Sequence, residues 1–565
     1  MDNTIKKYCL YNAIKYGGKA SKGSVIAYII GQNQSYKKNI KELMPEIEKC
    51  VRQVNALAPE SQIEALRKID KSLLEKEKKV QERVLPRLDG AEEHKVVLRI
   101  APYPSGPLHI GNARQVVVND EYAKMYKGKL LLVMDDTIGS EEKTITKEAY
   151  DLIVEGCKWL KADFDRKVIY KSDRLEIYYK YIEELIKKDK TYVCFCSSEK
   201  IRANRKIGKN CDCRYSSPLK TKEEWKSMLK GEYKEGEAVL RIKTDMKHPN
   251  PAFRDRVLFR ISKREHPRVG NKYHVWPLLE FSWAIDDHLL GVTHVIRGKD
   301  LMMETDMENY IWKIFGWKGP VIKHTGLVQI EDVKLSKSKS KKEATEGTYA
   351  GWDDPRTWSL QSLSRRGILP KAVREFVLDL GVNANEVVVP IDKLYSANRK
   401  LIEERANRYF LVVDPVEISI NKLPPLEVEM NMHPDYPKRG KRKFNTKNKF
   451  YIQKEDREKL SRGKLNRLMS CCNFTKTWTG YECGSYNKEK FKESKDKGII
   501  MHYLPKQKSM VKFEVLMPDG STKKGYCEDA VKKVIVDEVI QAERLGYMRL
   551  DDIDKGVYKF WYTHK

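Results

Sequence analysis

Between Lys95 and about residue 340, short runs of Val, Ile and Leu alternate with amphipathic helical patterns, and this alternation constrains the chain more than any other feature. Strands covered on both faces read as continuous apolar runs, and parallel neighbours need crossover helices, so the pattern predicts a parallel sheet flanked by helices. Such sheets bind ligands beyond the carboxyl ends of their strands. Two short motifs sit after runs of this kind. His109-Ile110-Gly111-Asn112 ends a loop that follows Val96 to Ala101 and opens a helix-like stretch, Ile110 to Tyr126. Lys334-Leu335-Ser336-Lys337-Ser338 follows the run Gly326 to Ile330. Alone, the first is better read as a helix cap and the second as a solvated surface loop. Together and in this order they point to a phosphate site assembled from two distant segments.

The rest of the chain divides around this region. Residues 1–85 read as a helical N-terminal domain, with Pro86 and Gly90 marking a linker. Within 95–340, residues about 190–265 are rich in Lys, Cys and turns, fall out of step with the alternation, and read as an insertion. Residues 341–410 return to helix. From 411 to 565, short alternating segments broken by turns such as Pro518-Asp519-Gly520 predict an all-β sandwich or barrel region. The expected architecture is therefore multidomain: an α/β domain on a parallel sheet with an insertion, helical N-terminal and connecting segments, and a C-terminal all-β sandwich or barrel region.

Lys plus Arg number 109 against 80 for Asp plus Glu, a net charge of +29 spread through the chain. A polyanionic partner explains that excess, as does a surface of solvated lysines. No run of about 18 apolar residues and no signal-peptide core occur, so a soluble, cytoplasmic protein without a membrane partner is expected. Eleven cysteines, an odd number, argue for reduced thiols over a disulfide framework. Cys194, Cys196, Cys211 and Cys213 form two close pairs that can close a tetrahedral structural zinc site, or stay as four thiols. Adjacent Cys471 and Cys472 read as packing in a β domain.

The two motifs resemble the HIGH and KMSKS signatures of class I aminoacyl-tRNA synthetases. The stretch from Leu98 to Arg114, the stretch from Asp286 to Leu301 and the 334–339 segment resemble the glutamyl/glutaminyl subgroup. Further stretches (Ser364 to Pro370, His433 to Gly440, Ile499 to Pro505, Glu543 to Arg549) extend the resemblance to archaeal-type glutamyl-tRNA synthetases over nearly the whole chain. This implies a Rossmann catalytic domain, an insertion that guides the tRNA acceptor end and sometimes carries Zn²⁺, a helical connector and two anticodon-binding barrels. It also implies ATP with Mg²⁺, L-glutamate and tRNA as substrates, and efficient activation only after tRNA is bound. A monomer that does not bind DNA is expected.

Carboxylate activation by ATP needs in-line placement and fixed positive charge where pyrophosphate develops. The resemblance assigns ATP to His109, Gly111, Asn112, Lys334, Ser336, Lys337 and Ser338, with His109, Lys334 and Lys337 as the catalytic groups. It assigns the amino acid to Arg99, Asp135 and Arg297. Arg297 favours glutamate, because a buried guanidinium beside a neutral amide lacks its counter-charge; an ion pair with Asp286 or Asp287 is the structural alternative. Val133, Ile138 and Leu279 depart from the family pattern around the amino-acid pocket. They keep open a catalytically silent tRNA-binding paralogue, beside glutaminyl-tRNA synthetase as the other rival. Arg365 and Arg366 resemble positions near the tRNA surface. Arg544, Arg549 and Lys559 fall on strand-like segments of the barrel region, and Tyr547, Phe560 and Trp561 are candidates for stacking on unpaired bases.

Overall fold

The computed structural model describes residues 2–15, 18–32, 36–75, 85–138, 144–165, 167–331, 349–508 and 510–565. The chain forms two compact units, Met1–Val84 and Leu85–Lys565. In the first, helices α1 (Asp2–Lys15), α2 (Lys22–Gln32), α3 (Tyr36–Asn55) and α4 (Pro59–Glu75) bury Cys9, Leu10, Ala13, Val25, Ile47 and Leu66. The fully buried Gln62 donates its Nε2 to Gly18 O and Val54 O, both at 2.9 Å, which satisfies a carbonyl in the turn after α1 and one at the open end of α3.

The second unit begins with β1 (Val97–Ile100), α5 (Ile110–Met125), β2 (Lys129–Met134), α6 (Lys147–Trp159), β3 (Ile169–Tyr170) and α7 (Leu175–Lys187). An antiparallel sheet then interrupts: β4 (Thr191–Cys194), α8 (Ser198–Ile207), α9 (Pro218–Leu229), β5 (Val239–Ile242), β6 (Val257–Ile261) and β7 (Val275–Pro277). This sheet runs on to Pro277, beyond the 265 read from composition, because β7 pairs with β6 through Val275 and Trp276. The chain returns through α10 (Leu279–Leu289), β8 (His294–Gly298), α11 (Met302–Phe315), β9 (Val321–Thr325) and β10 (Val328–Ile330).

The main sheet has the order β3-β2-β1-β8-β9, and every pairing in it is parallel. β1 and β8 are neighbours although almost 200 residues separate them, which sets Arg99 and Arg297 on adjacent central strands. The following segment is helical, with Leu360–Arg365, Pro370–Leu380 and Asp392–Ile402, but Val387–Val389 adds a parallel strand beside β10.

Two seven-stranded sheets complete the unit, and one is nested within the other. The outer sheet uses Arg408–Tyr409 and Leu411–Val413 together with strands between Val511 and His564. Its two edge strands are consecutive pieces of one run, so the sheet curls until its edges meet as a nearly closed barrel. The inner sheet, Pro415 to Pro505, has edges Lys497–Met501 and Leu504–Pro505, again consecutive. Side chains of a strand alternate between faces. Tyr409, Leu411 and Val413 accordingly enter the outer core, while Phe410 and Val412 enter the inner one. Among the described residues no helix is long and apolar enough to cross a membrane.

Candidate active site

Beyond the carboxyl ends of β1, β8 and β9 lies a cavity of about 460 Å³. Its lining brings together Arg99, His109, Gly111, Asn112 and Arg297, five residues singled out from the sequence. His109 is the N-cap of α5: its Nδ1 accepts from Gly111 N (3.1 Å), and Asn112 Oδ1 accepts from His109 N (3.2 Å). Because Nδ1 accepts, the proton of the neutral imidazole belongs on Nε2. This turn is pinned from outside by Ile110 N donating to Trp358 O (3.1 Å) and Leu360 N to Leu108 O (2.8 Å). Arg114, one turn on, donates Nη1 to Gly326 O at 2.6 Å. At Gly326 a β-carbon would lie 1.8 Å from Asn385 O, so only glycine lets these segments meet.

One wall of the cavity is built around Trp283 of α10. Arg99 Cζ and Lys171 Nζ each lie 4.9 Å from its ring centroid and Arg297 Cζ lies 5.2 Å away. An indole face attracts cations, and here it collects three. Each cation has its own carboxylate. Arg99 donates Nε (2.5 Å) and Nη2 (2.9 Å) to Asp287. Arg297 donates Nη1 (2.9 Å) and Nη2 (2.7 Å) to Glu308, and Nη2 also reaches Thr305 Oγ1 (2.5 Å). Lys171 Nζ stands 3.0 Å from Asp135 Oδ1 and donates to Ser282 Oγ at 2.8 Å. The structural partner of Arg297 is therefore Glu308 and neither Asp286 nor Asp287; Asp286 is taken by Arg174 (2.8 Å) and Tyr178 (2.6 Å).

Burial sets the electrostatics. It pushes the Glu308 carboxyl up to about 7, against the pull of Arg297. It also raises Asp135 and lowers Lys171, each opposed by the other's charge. Asp135 is almost wholly buried and is not among the residues lining the cavity. Val133 packs in a small cluster with Leu131, Val292 and Val295, Ile138 is in the apolar core below α7, and half-buried Leu279 begins α10. Lys334, Ser336, Lys337 and Ser338 lie outside the described residues.

Sequence reasoning missed Trp283, Glu308 and Lys171. The available signal was the acid pair Asp286-Asp287 inside an apolar helix, since buried carboxylates require cations nearby.

In the inserted sheet the four sulfurs of Cys194, Cys196, Cys211 and Cys213 lie within 4.8 Å of one another. Cys194 and Cys211 Sγ are 3.8 Å apart. A tetrahedron with bonds of about 2.3 Å has edges of nearly that length. Arg241 Nη1 sits 3.6 and 3.7 Å from these two sulfurs, where it favours thiolates.

Farther away, several expectations are revised. Arg366 is fully buried and donates to Tyr562 O (3.3 Å), Thr563 O (3.0 Å) and Tyr395 Oη (3.1 Å), so it staples connector to barrel and meets no phosphate. Arg365 is held by Asp551 and Asp353. Arg544 pairs with Asp456, Arg549 with Asp537 and Asp551, and Lys559 with Asp552 and Asp554. Tyr547, Phe560 and Trp561 are buried and offer no ring face to a base. Cys471 and Cys472 do pack, in the inner core.

Known proteins match this chain along its length. A family described as tRNA synthetases class I (E and Q), catalytic domain, covers residues 95–404. Two families described as tRNA synthetases class I (E and Q), anti-codon binding domain, cover 406–487 and 494–551. Whole-chain similarity extends to the glutamate–tRNA ligase of Pyrococcus furiosus, 43% identical over 99% of both chains. The glutamate–tRNA ligases of Methanocaldococcus jannaschii and Methanothermobacter thermautotrophicus are 40% and 39% identical over 100% of both chains.

Proposed function

Because this chain belongs to the class I tRNA synthetases for glutamate and glutamine, we propose that it is a glutamate–tRNA ligase. The carrying observation is Arg297, buried against Trp283, clamped by Glu308 and lining the same cavity as the start of α5. Its buried Nε has no hydrogen-bond partner among the described residues and is left to donate to a side-chain carboxylate, whose charge an amide lacks.

In the proposed reaction a carboxylate oxygen of glutamate attacks the α-phosphorus of ATP. The new O–P bond forms as the bond to the bridging oxygen breaks, giving glutamyl-adenylate and pyrophosphate. A terminal ribose hydroxyl of tRNA then attacks the acyl carbon, and AMP leaves with the bonding pair. His109 Nε2 and the N-terminus of α5 donate to phosphate oxygens, and Gly111 leaves room for the nucleotide. Asn112 supports the His109 turn by capping it. Lys334 and Lys337 are assigned to neutralising the departing pyrophosphate, with Ser336 and Ser338 beside them in the sequence. Arg99 and Arg297 face the amino acid; Asp135, which the resemblance assigns to its ammonium group, is buried against Lys171 behind the cavity lining. Mg²⁺ accompanies ATP and shields its phosphates.

The four thiols fit one zinc ion by donor type and spacing, and that ion would fix the inserted sheet where the acceptor end of tRNA passes. Metal analysis of the purified protein should give one zinc per chain. For the activity, purified tRNA for glutamate and tRNA for glutamine are each offered both amino acids. Esterification of glutamate is expected. Glutamine alone as substrate overturns the assignment, and no transfer with either amino acid would make the chain a silent tRNA binder.

A further inference from the structure

One aromatic of the barrels stands apart from the rest. Trp478 is 87% exposed, in the turn between Asn473–Lys476 and Tyr481–Ser485, two antiparallel strands of the inner sheet. The turn is fixed: Thr477 N donates to Gly480 O at 2.8 Å, and Thr477 Oγ1 donates to the same oxygen at 3.2 Å. A neighbouring loop is tied to it, with Arg462 bridging to Lys476 and Gly463 N donating to Lys476 O at 3.2 Å. The Arg462 guanidinium consequently lies 3.4 Å from the centroid of the Trp478 ring.

Two facts make this pair more than surface decoration. Lys459 and Lys464 are neutralised by Glu455 and Asp496, whereas Arg462 has no ion pair among the described residues, and neither does Lys476 beside it, whose Nζ donates to Leu460 O at 3.0 Å. Trp478 and Arg462 also fall inside 406–487, the segment that matches an anticodon-binding domain. An exposed indole on a fixed turn, with an unneutralised guanidinium on it, supplies a π-face for a base and a charge for the adjoining phosphate.

We propose that Trp478 and Arg462 form a stacking platform for an unpaired base in the anticodon arm of tRNA. This rests on the assignment of tRNA as substrate. Stacking on an aromatic side chain is worth about 1–3 kcal/mol per base, which converts to a five- to hundredfold weaker complex once the ring is removed.

The test uses the full-length protein with two RNAs, whole tRNA for glutamate and a minihelix holding only its acceptor stem. Dissociation constants come from fluorescence anisotropy of labelled RNA. Trp478→Ala is expected to weaken whole tRNA about five- to hundredfold while minihelix binding stays at the wild-type value. Trp478→Phe keeps most of the affinity, and Arg462→Ala falls between. Wild-type affinity of Trp478→Ala for whole tRNA overturns the proposal. So does an equal loss on both RNAs, or a loss accompanied by a lower melting temperature, since either makes the residue structural. If the wild-type protein binds tRNA yet charges it with neither amino acid, the enzymatic assignment fails while the platform is still measured by the same binding constants.

Discussion

Glu308 gives the sharpest consequence at the scale of single residues. It holds both terminal nitrogens of Arg297 from a fully buried position in α11. Glu308→Gln keeps the shape but removes the charge-assisted half of the clamp. Hydrogen bonds to charged groups contribute about 1.5–3 kcal/mol, so KM for glutamate should rise about ten- to hundredfold with KM for ATP unchanged. Initial-rate aminoacylation separates the two constants, and an equal rise in both would place Glu308 outside amino-acid recognition. A second consequence concerns His502, wholly buried in the inner barrel with Nε2 2.8 Å from Leu411 O. Burial depresses its pKa to about 4, below the exposed value of about 6.5. Between those values the unfolded chain takes up a proton that the folded chain refuses. Stability is full above pH 6.5 and declines as pH falls toward 4, by about 3 kcal/mol from this residue. Urea unfolding across that range should show a shallower decline for His502→Gln, whose side-chain amide still donates to Leu411 O.

At the scale of elements, α5 joins stability to chemistry through its cap. His109→Ala removes the capping nitrogen and should cost about 1 kcal/mol of stability. Asparagine is among the best N-caps, so His109→Asn should keep the melting temperature. Both variants lose the imidazole donor and should lower the rate of pyrophosphate exchange about a hundredfold. If His109→Asn retains full exchange activity, the histidine is a cap alone. The strand-and-helix alternation that surrounds α5 was legible because strands covered on both faces carry their burial in their composition. Val387–Val389 was not legible: three valines before a proline become a strand only by pairing with Val328–Ile330, some sixty residues earlier. The same holds for Trp283 and Glu308, whose partners come from other elements. Phe560 and Trp561 are neighbours in Val557–His564 and point to opposite faces, and the sequence did not show that both faces are covered: Phe560 enters the outer core, Trp561 lies under Arg365, and Tyr547 packs with Ile402 and Ala406.

For the molecule as a whole, the join between connector and outer barrel rests on Arg366. It spans from the end of Leu360–Arg365 to the carbonyls of Tyr562 and Thr563, while Thr563 Oγ1 donates back to Arg366 O at 2.5 Å. Asn398 Nδ2 lies 3.1 Å from His564 Nε2 beside it. Arg366→Ala strands these buried acceptors and should cost about 3 kcal/mol. Thermal unfolding is then expected to split, with the barrel melting ahead of the catalytic domain; a single unshifted transition would remove this contact from the account. The nesting of the barrels also sets an order in time. The strand run 409–413 is made before the inner barrel, but its outer-barrel partners, Thr522–Cys527 and Val539–Ala542, are made after it. On the ribosome the inner barrel can close while Leu411 and Val413 still lack their sheet, and every chain passes through a stage with one finished barrel and one open edge. An exposed edge strand is what chaperones and proteases recognise. Translation pauses between residues 505 and 540 should therefore govern how much of this protein survives its own synthesis.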